Sequence, residues 1–84
     1  MDHVVVAIHP FIMRQEVMAY VNGECVKHVD CDLREVDKIC YDLCREFNIH
    51  QVDMAGNVEL CEKIKYNILT TTRFDDFNIE IKFY

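Results

Sequence analysis

An imidazole and a carboxylate, His9 and Asp53, lie at the ends of two β-branched runs that cover residues 3–8 and 49–54. Such a pair can transfer a proton or bind a ligand if the two runs form neighbouring parallel strands. Both side chains would then lie at the carboxyl ends of the strands, where α/β sheets bind ligands. A hydrogen-bonded structural pair is the favoured interpretation, and the pair is our first choice for any residual functional site.

Five cysteines could bind zinc or act as nucleophiles: Cys25, Cys31, Cys40, Cys44 and Cys61. Cys40 and Cys44 are spaced i, i+4, and His28 precedes Cys31 by three residues, but the sequence contains no C-x₂-C pair. Cys25 and Cys31 are the only thiols outside the predicted helices, and nothing in the sequence supplies an oxyanion hole beside them. We therefore predict free thiols that pack in the core, no zinc and no other cofactor.

Hydrophobic patterning predicts the element order β-β-β-α-β-α-β, with short connections and no internal repeat. The predicted strands cover residues 3–8, 15–21, 24–30, 49–54 and 77–84, and the predicted helices cover residues 33–47 and 58–69. His9 to Met13 is predicted to form a turn, and Thr70 to Asp76 a polar loop. Asp32 is expected to cap the first helix, with Glu35 completing a variant of the capping box, and Asn57 can cap the second.

The dipeptide Asn22-Gly23 predicts a two-residue type I′ hairpin, which fixes how the second and third strands pair. A regular register from this turn pairs Ala19 with Val26. One face of the hairpin then carries Val17, Ala19, Val21 and Val26, and the other carries Met18, Tyr20, Cys25, Lys27 and Val29. The first face is predicted to lie in the core.

Right-handed crossovers place both helices on one face of a mixed five-stranded sheet of order 3-2-1-4-5. The predicted fold class is a two-layer α/β domain over residues 1–84, with a helix-free face. Three consecutive apolar residues in a turn are unfavourable unless they are covered. The predicted interface therefore combines that turn with the helix-free face: Phe11, Ile12, Met13, Met18, Tyr20, Cys25 and Tyr84. Alternatively, the turn folds over its own sheet and closes that face.

The order of elements, together with Ile8-His9-Pro10, resembles the ribonuclease H-like superfamily, which includes ribonuclease H and the Holliday-junction resolvases. In that superfamily the first strand ends in a metal-binding aspartate, found in resolvases as Ile-Asp-Pro, whereas this chain has His9. The resemblance implies a Mg²⁺ or Mn²⁺ site formed by Glu35 or Asp37, by Asp53, and by His9 at the aspartate's position. It also implies a last carboxylate on a helix after the fifth strand, and the sequence ends at Tyr84 before any such helix.

Histidine is a poor replacement for a carboxylate that bridges two Mg²⁺ ions. We therefore expect no nuclease activity and no catalytic residues. A net charge of −6 and scattered basic residues disfavour binding to nucleic acid or to membrane surfaces. The odd cysteine count and the absence of a signal peptide or a long apolar run favour a cytoplasmic protein.

Three functions remain open. The favoured one is a non-enzymatic interaction module, a homodimer or a binder of another protein, of the kind found among accessory proteins of phages and mobile elements. The second is a degenerate metal-dependent nuclease or nucleic-acid binder that uses Glu35, Asp53 and His9. The third is an acidic mimic of nucleic acid, which requires carboxylates concentrated on one face.

Overall fold

Seven main elements follow one another along residues 3–84, the part of the chain that the computed structural model describes. Their bounds are β1 Val4–Pro10, β2 Gln15–Val21, β3 Glu24–Cys31, α1 Val36–Phe47, β4 Gln51–Met54, α2 Val58–Thr70 and β5 Glu80–Phe83. Single 3₁₀ turns precede α1 and follow α2. The predicted element order is confirmed.

The strands form one sheet of order β3-β2-β1-β4-β5. The first three strands are an antiparallel meander, and β4 and β5 continue the sheet in parallel with β1. Asn22 and Gly23 both have positive φ angles, of 52° and 84°, as a type I′ turn requires. The predicted strand order and the hairpin turn are therefore confirmed.

Both helices pack on the same face of the sheet. One continuous core joins buried residues of α1 and α2 to alternate residues of the central strands: Val6, Ile8, Val17, Ala19, Val52 and Met54 on the sheet, Val36, Cys40, Leu43 and Cys44 on α1, and Cys61, Ile64 and Ile68 on α2. The intervening sheet residues point the other way, because successive side chains of a strand alternate between faces. The result is the predicted two-layer domain with a helix-free face.

The first strand is longer than predicted. His9 pairs with Glu16 and Pro10 pairs with Gln15, so the predicted turn over His9 to Met13 is wrong at its first two positions. Proline is tolerated here because Pro10 is the last residue of the strand, where its missing N–H interrupts no further pair. The connection to β2 is confined to residues 11–14, and it is closed by a hydrogen bond from the Phe11 amide to the Arg14 carbonyl, 3.1 Å.

The predicted register of the hairpin holds for only two pairs, Val21–Glu24 and Tyr20–Cys25. A β-bulge follows, and Ala19 pairs with Lys27. The extra residue, Val26, is 42% exposed and lies outside the core. The bulge also moves Lys27 and Val29 to the helix-covered face and brings His28 and Asp30 to the helix-free face, which corrects the predicted faces of β3.

The predicted capping box at Asp32 does not form. The Asp32 side chain makes no capping hydrogen bond, and α1 begins at Val36, after a 3₁₀ turn in which the Glu35 amide donates to the Asp32 carbonyl. At the second helix the capping prediction is confirmed. The Asn57 Oδ1 accepts a hydrogen bond from the Leu60 amide at 3.0 Å.

The segment between α2 and β5 packs through aromatic side chains, unlike the polar loop that the sequence predicts. Phe74 packs edge-on against Tyr41 of α1, with ring centroids 5.2 Å apart, and Phe77 stacks on His50, with centroids 4.4 Å apart. Because the Phe77 ring makes this aromatic contact, the last strand begins at Glu80 and not at the predicted Phe77.

Candidate functional surface

The helix-free face carries a shallow depression over its central strands, which we call the central depression. Its volume is about 380 Å³, and it is lined by His3, Val5, Ala7, His9, Tyr20, Gly23, Asp53, Met54, Ala55 and Tyr84. His9 and Asp53 therefore lie along one concavity, as predicted from their positions at the ends of adjacent parallel strands. Ala7, which pairs with Asp53 in the sheet, has a small side chain that leaves space between β1 and β4.

Asp53 already has a local partner. Its Oδ1 accepts a hydrogen bond from the Gln51 Nε2 at 3.0 Å, between two residues on the same face of β4. His9 is exposed, and its cross-strand partner is Glu16 of β2. No hydrogen bond joins His9 to Asp53 among the contacts of the described residues, so the structure places the two in one depression without the direct pair favoured from the sequence.

Glu35 lies elsewhere. It lines a separate depression of about 340 Å³ with Arg14, Asp30, Cys31 and Asp32, at the junction of β3 and the 3₁₀ turn. Asp37, the other candidate on the first helix, is 3.5 Å from the Nε of Arg73 in an ion pair. The central depression thus holds one carboxylate and one imidazole from the candidate set.

That donor set does not fit the paired Mg²⁺ or Mn²⁺ ions of the superfamily. Two-metal chemistry needs several hard oxygen ligands around ions about 4 Å apart. Here Asp53 supplies a carboxylate that is engaged by Gln51, and His9 supplies a nitrogen.

The connection between β1 and β2 presents an apolar loop tip, formed by Phe11, Ile12 and Met13. The three side chains are 51%, 91% and 87% exposed. Together with Arg14 and Glu16 they line an open depression of about 650 Å³. The loop tip therefore does not fold over the sheet, which was the alternative considered from the sequence.

The loop tip is held in place from below by Gln15. This side chain is 2% exposed, and its Nε2 donates a hydrogen bond of 2.9 Å to the Phe11 carbonyl. A buried amide that bonds the loop backbone restrains the conformation of the tip. The exposed apolar side chains are thus presented on a backbone that this hydrogen bond restrains.

The other four residues of the predicted interface differ in accessibility. Tyr84 is 74% exposed and Cys25 is exposed, whereas Tyr20 is half-buried. Met18 is only 7% exposed, and the Tyr20 hydroxyl lies 3.7 Å from its Sδ. Met18 therefore lies beneath the surface and contributes little contact area.

One group of potential ligands was missed from the sequence. Glu16, His28 and Asp30 bring a carboxylate oxygen, an imidazole nitrogen and a second carboxylate oxygen within 4.8 Å of one another on the helix-free face. We call this group the histidine–carboxylate cluster. A regular hairpin would have put His28 on the opposite face from Tyr20 and Cys25, so only the bulge assembles the cluster. The sequence contains no marker that distinguishes a bulged strand here.

Four of the five thiols are buried as the sequence predicts, and the prediction is wrong for Cys25, which lies on the exposed edge strand. Among the five free cysteines only Cys25 is exposed. Burial, with nearby Glu35, Asp32 and Asp30, raises the pKa of the Cys31 thiol from 9.0 to about 11. A hydrogen bond with Cys44 and burial hold the pKa of Cys40 well above its ordinary value, and burial raises the pKa of Cys61. These thiols remain protonated and unreactive at neutral pH.

Comparison with solved structures finds a similar fold. T. thermophilus RuvC, in complex with a Holliday junction substrate, matches 96% of this chain with a TM-score of 0.65 and 12% sequence identity. The match covers 63% of the RuvC chain, so this protein spans less than two thirds of that relative. No protein-family model matches the sequence, and no curated protein matches it significantly.

The strand order and this structural likeness together establish a ribonuclease H-like fold, as the element order and Ile8-His9-Pro10 suggested. At this level of sequence identity the likeness concerns the fold alone. Within residues 3–84 no helix is long and apolar enough to cross a membrane.

Proposed function

We propose that this small domain of ribonuclease H-like fold is a non-enzymatic interaction module that forms a homodimer through its loop tip and its helix-free face. The observation that carries the proposal is the exposure of Phe11, Ile12 and Met13, at 51%, 91% and 87%. Fully burying one large apolar side chain contributes about 1.5–3 kcal/mol. Three such side chains exposed on an ordered loop are unfavourable unless another surface covers them.

Charge complementarity supports a second copy as the occupant. The loop tip is followed by Arg14 and Glu16, of opposite charge, and both line its depression. In a two-fold symmetric pair the same patch meets itself, so the Arg14 of one protomer can face the Glu16 of the other. A dimer of this kind buries the apolar side chains and pairs the charges at the rim.

The catalytic alternative has less support in the central depression. By the resemblance of Ile8-His9-Pro10, His9 stands where the superfamily has its metal-binding aspartate, and the remaining carboxylate candidates are dispersed or already paired. These observations favour binding over bond cleavage. The module is thus proposed to use the superfamily fold as a scaffold.

The test is the mass of the protein in solution as a function of concentration. Multi-angle light scattering and sedimentation velocity should show a dimer at high micromolar concentration that dissociates on dilution. Ile12→Asp should keep the protein monomeric over the same range, because a carboxylate would be buried in the interface. Leu69→Asp is the matched control, since Leu69 is 62% exposed on α2, on the other side of the sheet, and this variant should still dimerise. A monomer at every concentration would contradict the homodimer.

A second candidate is a nucleic-acid binder or a degenerate metal-dependent nuclease that uses Asp53 and His9, with Glu35 as a more remote contributor. The specific observation in its favour is the structural likeness to RuvC, which was solved with a Holliday junction. Incubation of the protein with Mg²⁺ or Mn²⁺ and with branched DNA or RNA–DNA hybrids should then yield cleavage that disappears in Asp53→Asn. Absence of both cleavage and a mobility shift in the wild-type protein would remove this candidate.

The acidic mimic receives less support. Carboxylates of the described residues lie on both layers: Asp42, Glu46, Glu59 and Glu62 on the helices, and Glu16, Asp30 and Asp53 on the opposite face of the sheet. A mimic needs them concentrated on one surface.

Free thiols along the core fit a reducing compartment, and we place the proposed module in the cytoplasm on that ground.

A further inference from the structure

We infer that the histidine–carboxylate cluster on β2 and β3 binds a divalent transition-metal ion such as Zn²⁺. The His28 Nε2 lies 3.3 Å from the Asp30 Oδ1 and 3.7 Å from the Glu16 Oε1. Ligands held about 2.1 Å from a tetrahedral ion lie roughly 3.4 Å from one another. The two distances from His28 are therefore within a few tenths of an ångström of this spacing, and all three ligand atoms lie within 4.8 Å of one another on exposed or half-buried side chains that can adjust to an ion.

The three ligands are held by a rigid ladder. Glu16 and Asp30 are direct cross-strand partners, and His28 lies two residues before Asp30 on the same face of β3. Side chains of adjacent strands in this arrangement have Cβ atoms about 4.5–5.5 Å apart. Placement by backbone hydrogen bonds, and not by a loop, gives the cluster a fixed spacing before the ion arrives.

The charges of the cluster also favour a cation. Two carboxylates that face each other directly across a sheet destabilise it when nothing lies between them. Arg14 relieves part of this repulsion from outside, with its guanidinium 3.7 Å from the Asp30 Oδ2. The other oxygen of Asp30 faces His28, so Arg14 leaves the inner side of the cluster open to an ion.

The donor set indicates which class of ion binds. One imidazole and two carboxylates suit Zn²⁺, Co²⁺, Ni²⁺ and Mn²⁺, whereas Mg²⁺ prefers oxygen ligands and retains its water. Three protein ligands leave a coordination position for water or for a group from another molecule. This cluster uses residues other than His9, Glu35 and Asp53, and its three ligands belong to a single chain, so an ion can bind without the proposed dimer, in which Glu16 would also face Arg14 of the other protomer.

The test is metal titration of the untagged, chelator-treated protein. Cys25→Ser is used as the background, because the exposed thiol could bind metal by itself. Calorimetry with Zn²⁺ should show one site per chain with a dissociation constant in the micromolar range, and Co²⁺ should give a visible d–d spectrum without a thiolate charge-transfer band. At a concentration of Zn²⁺ 100-fold above the dissociation constant, the melting temperature should rise by roughly 10–20 °C.

His28→Ala should weaken Zn²⁺ binding by more than the 10–100-fold loss that follows removal of an outer-shell partner in metal sites. Glu16→Gln, which keeps the shape of the side chain, should weaken it as well. His3→Ala is the control, because His3 is exposed, it precedes β1, and the hydrogen bond from its backbone amide to Asn22 is retained. Ile12→Asp should bind Zn²⁺ normally even where it abolishes the dimer.

Two results would overturn the inference. One is no Zn²⁺ or Co²⁺ binding up to millimolar concentration, in which case His28 serves as an ion-pair partner of the two carboxylates. The other is binding that His28→Ala and Glu16→Gln leave unchanged, which would assign the metal to another part of the chain.

Discussion

Ala19 pairs with Lys27 across the β2–β3 ladder, and the residue that a regular hairpin would put opposite Ala19, Val26, is displaced by a bulge. This single offset decides which side chains of β3 face the helices. It leaves Val26 in solvent and gathers Glu16, His28 and Asp30 on the helix-free face.

The bulge predicts opposite outcomes for two valines of the same hairpin. Val17→Ala should destabilise the domain by about 1.5–3 kcal/mol, because Val17 is completely buried and its loss leaves a cavity. Val26→Ala should change the free energy of unfolding by no more than about 0.5 kcal/mol. Urea denaturation followed by circular dichroism measures both. Equal destabilisation by the two substitutions would mean that Val26 is in the core and that the hairpin is regular.

The N-termini of the two helices provide a second pair of substitutions to compare. Asn57→Ala should cost about 1 kcal/mol, since it removes the hydrogen bond to the Leu60 amide. Asp32→Ala should have an effect within about 0.5 kcal/mol, because the Asp32 side chain caps no amide. The same denaturation experiment applies. A larger loss from Asp32→Ala than from Asn57→Ala would contradict a side-chain cap at Asn57 and the lack of one at Asp32.

Thiol labelling should separate Cys25 from the other cysteines. At pH 8 the native protein should take up one iodoacetamide adduct quickly, at Cys25, and five after unfolding in urea, because the remaining thiols are buried. Intact-mass spectrometry reads the count directly. Cys25→Ser should show no rapid adduct in the native state, and rapid labelling of a second site would indicate that part of the core opens to solvent.

Alkaline pH should destabilise the fold. The pKa values of Cys31, Cys40 and Cys61 are raised in the native state, so the unfolded chain ionises these thiols first as the pH rises. Their contribution to stability is therefore complete below pH 9, the ordinary thiol pKa, and is lost above it as the pH approaches about 11, the raised pKa of Cys31.

Melting temperatures measured from pH 7 to pH 11 test this dependence. Cys31→Ser should flatten the decline above pH 9, since serine does not titrate in this range. A melting temperature that stays constant to pH 11 in the wild-type protein would show that the thiols ionise equally in both states.

Much of the fold could be predicted because its determinants are local or periodic. The apolar stripe of α1, the Asn22-Gly23 turn and the β-branched runs of β1 and β4 each specify one element, and right-handed crossovers then leave one strand order. The errors fall where packing overrides local pattern. Phe77 reads as a strand residue from its alternation with Ile79 and Ile81, but its ring stacks on His50 instead.

The candidate sites were harder to predict than the fold. His9 and Asp53 could be placed together, because parallel neighbours bring their carboxyl ends to one edge of the sheet. The exposure of Ile12 and Met13 could not be decided, since a turn of four residues can lean either way. The histidine–carboxylate cluster could not be predicted, because a shift of one residue in the strand register moves every following side chain to the other face of the sheet.

The same bulge has a consequence for how the protein behaves when many copies are crowded together. β3 is the outer strand of the sheet, and from Glu24 to Asp30 nearly every side chain is exposed, with Lys27 beside the kink. A twisted and charged edge strand pairs poorly with another extended chain, so edge-to-edge association of sheets into fibrils is disfavoured. The assembly that we propose through the loop tip would then stop at two protomers, without further strands adding to this edge of the sheet.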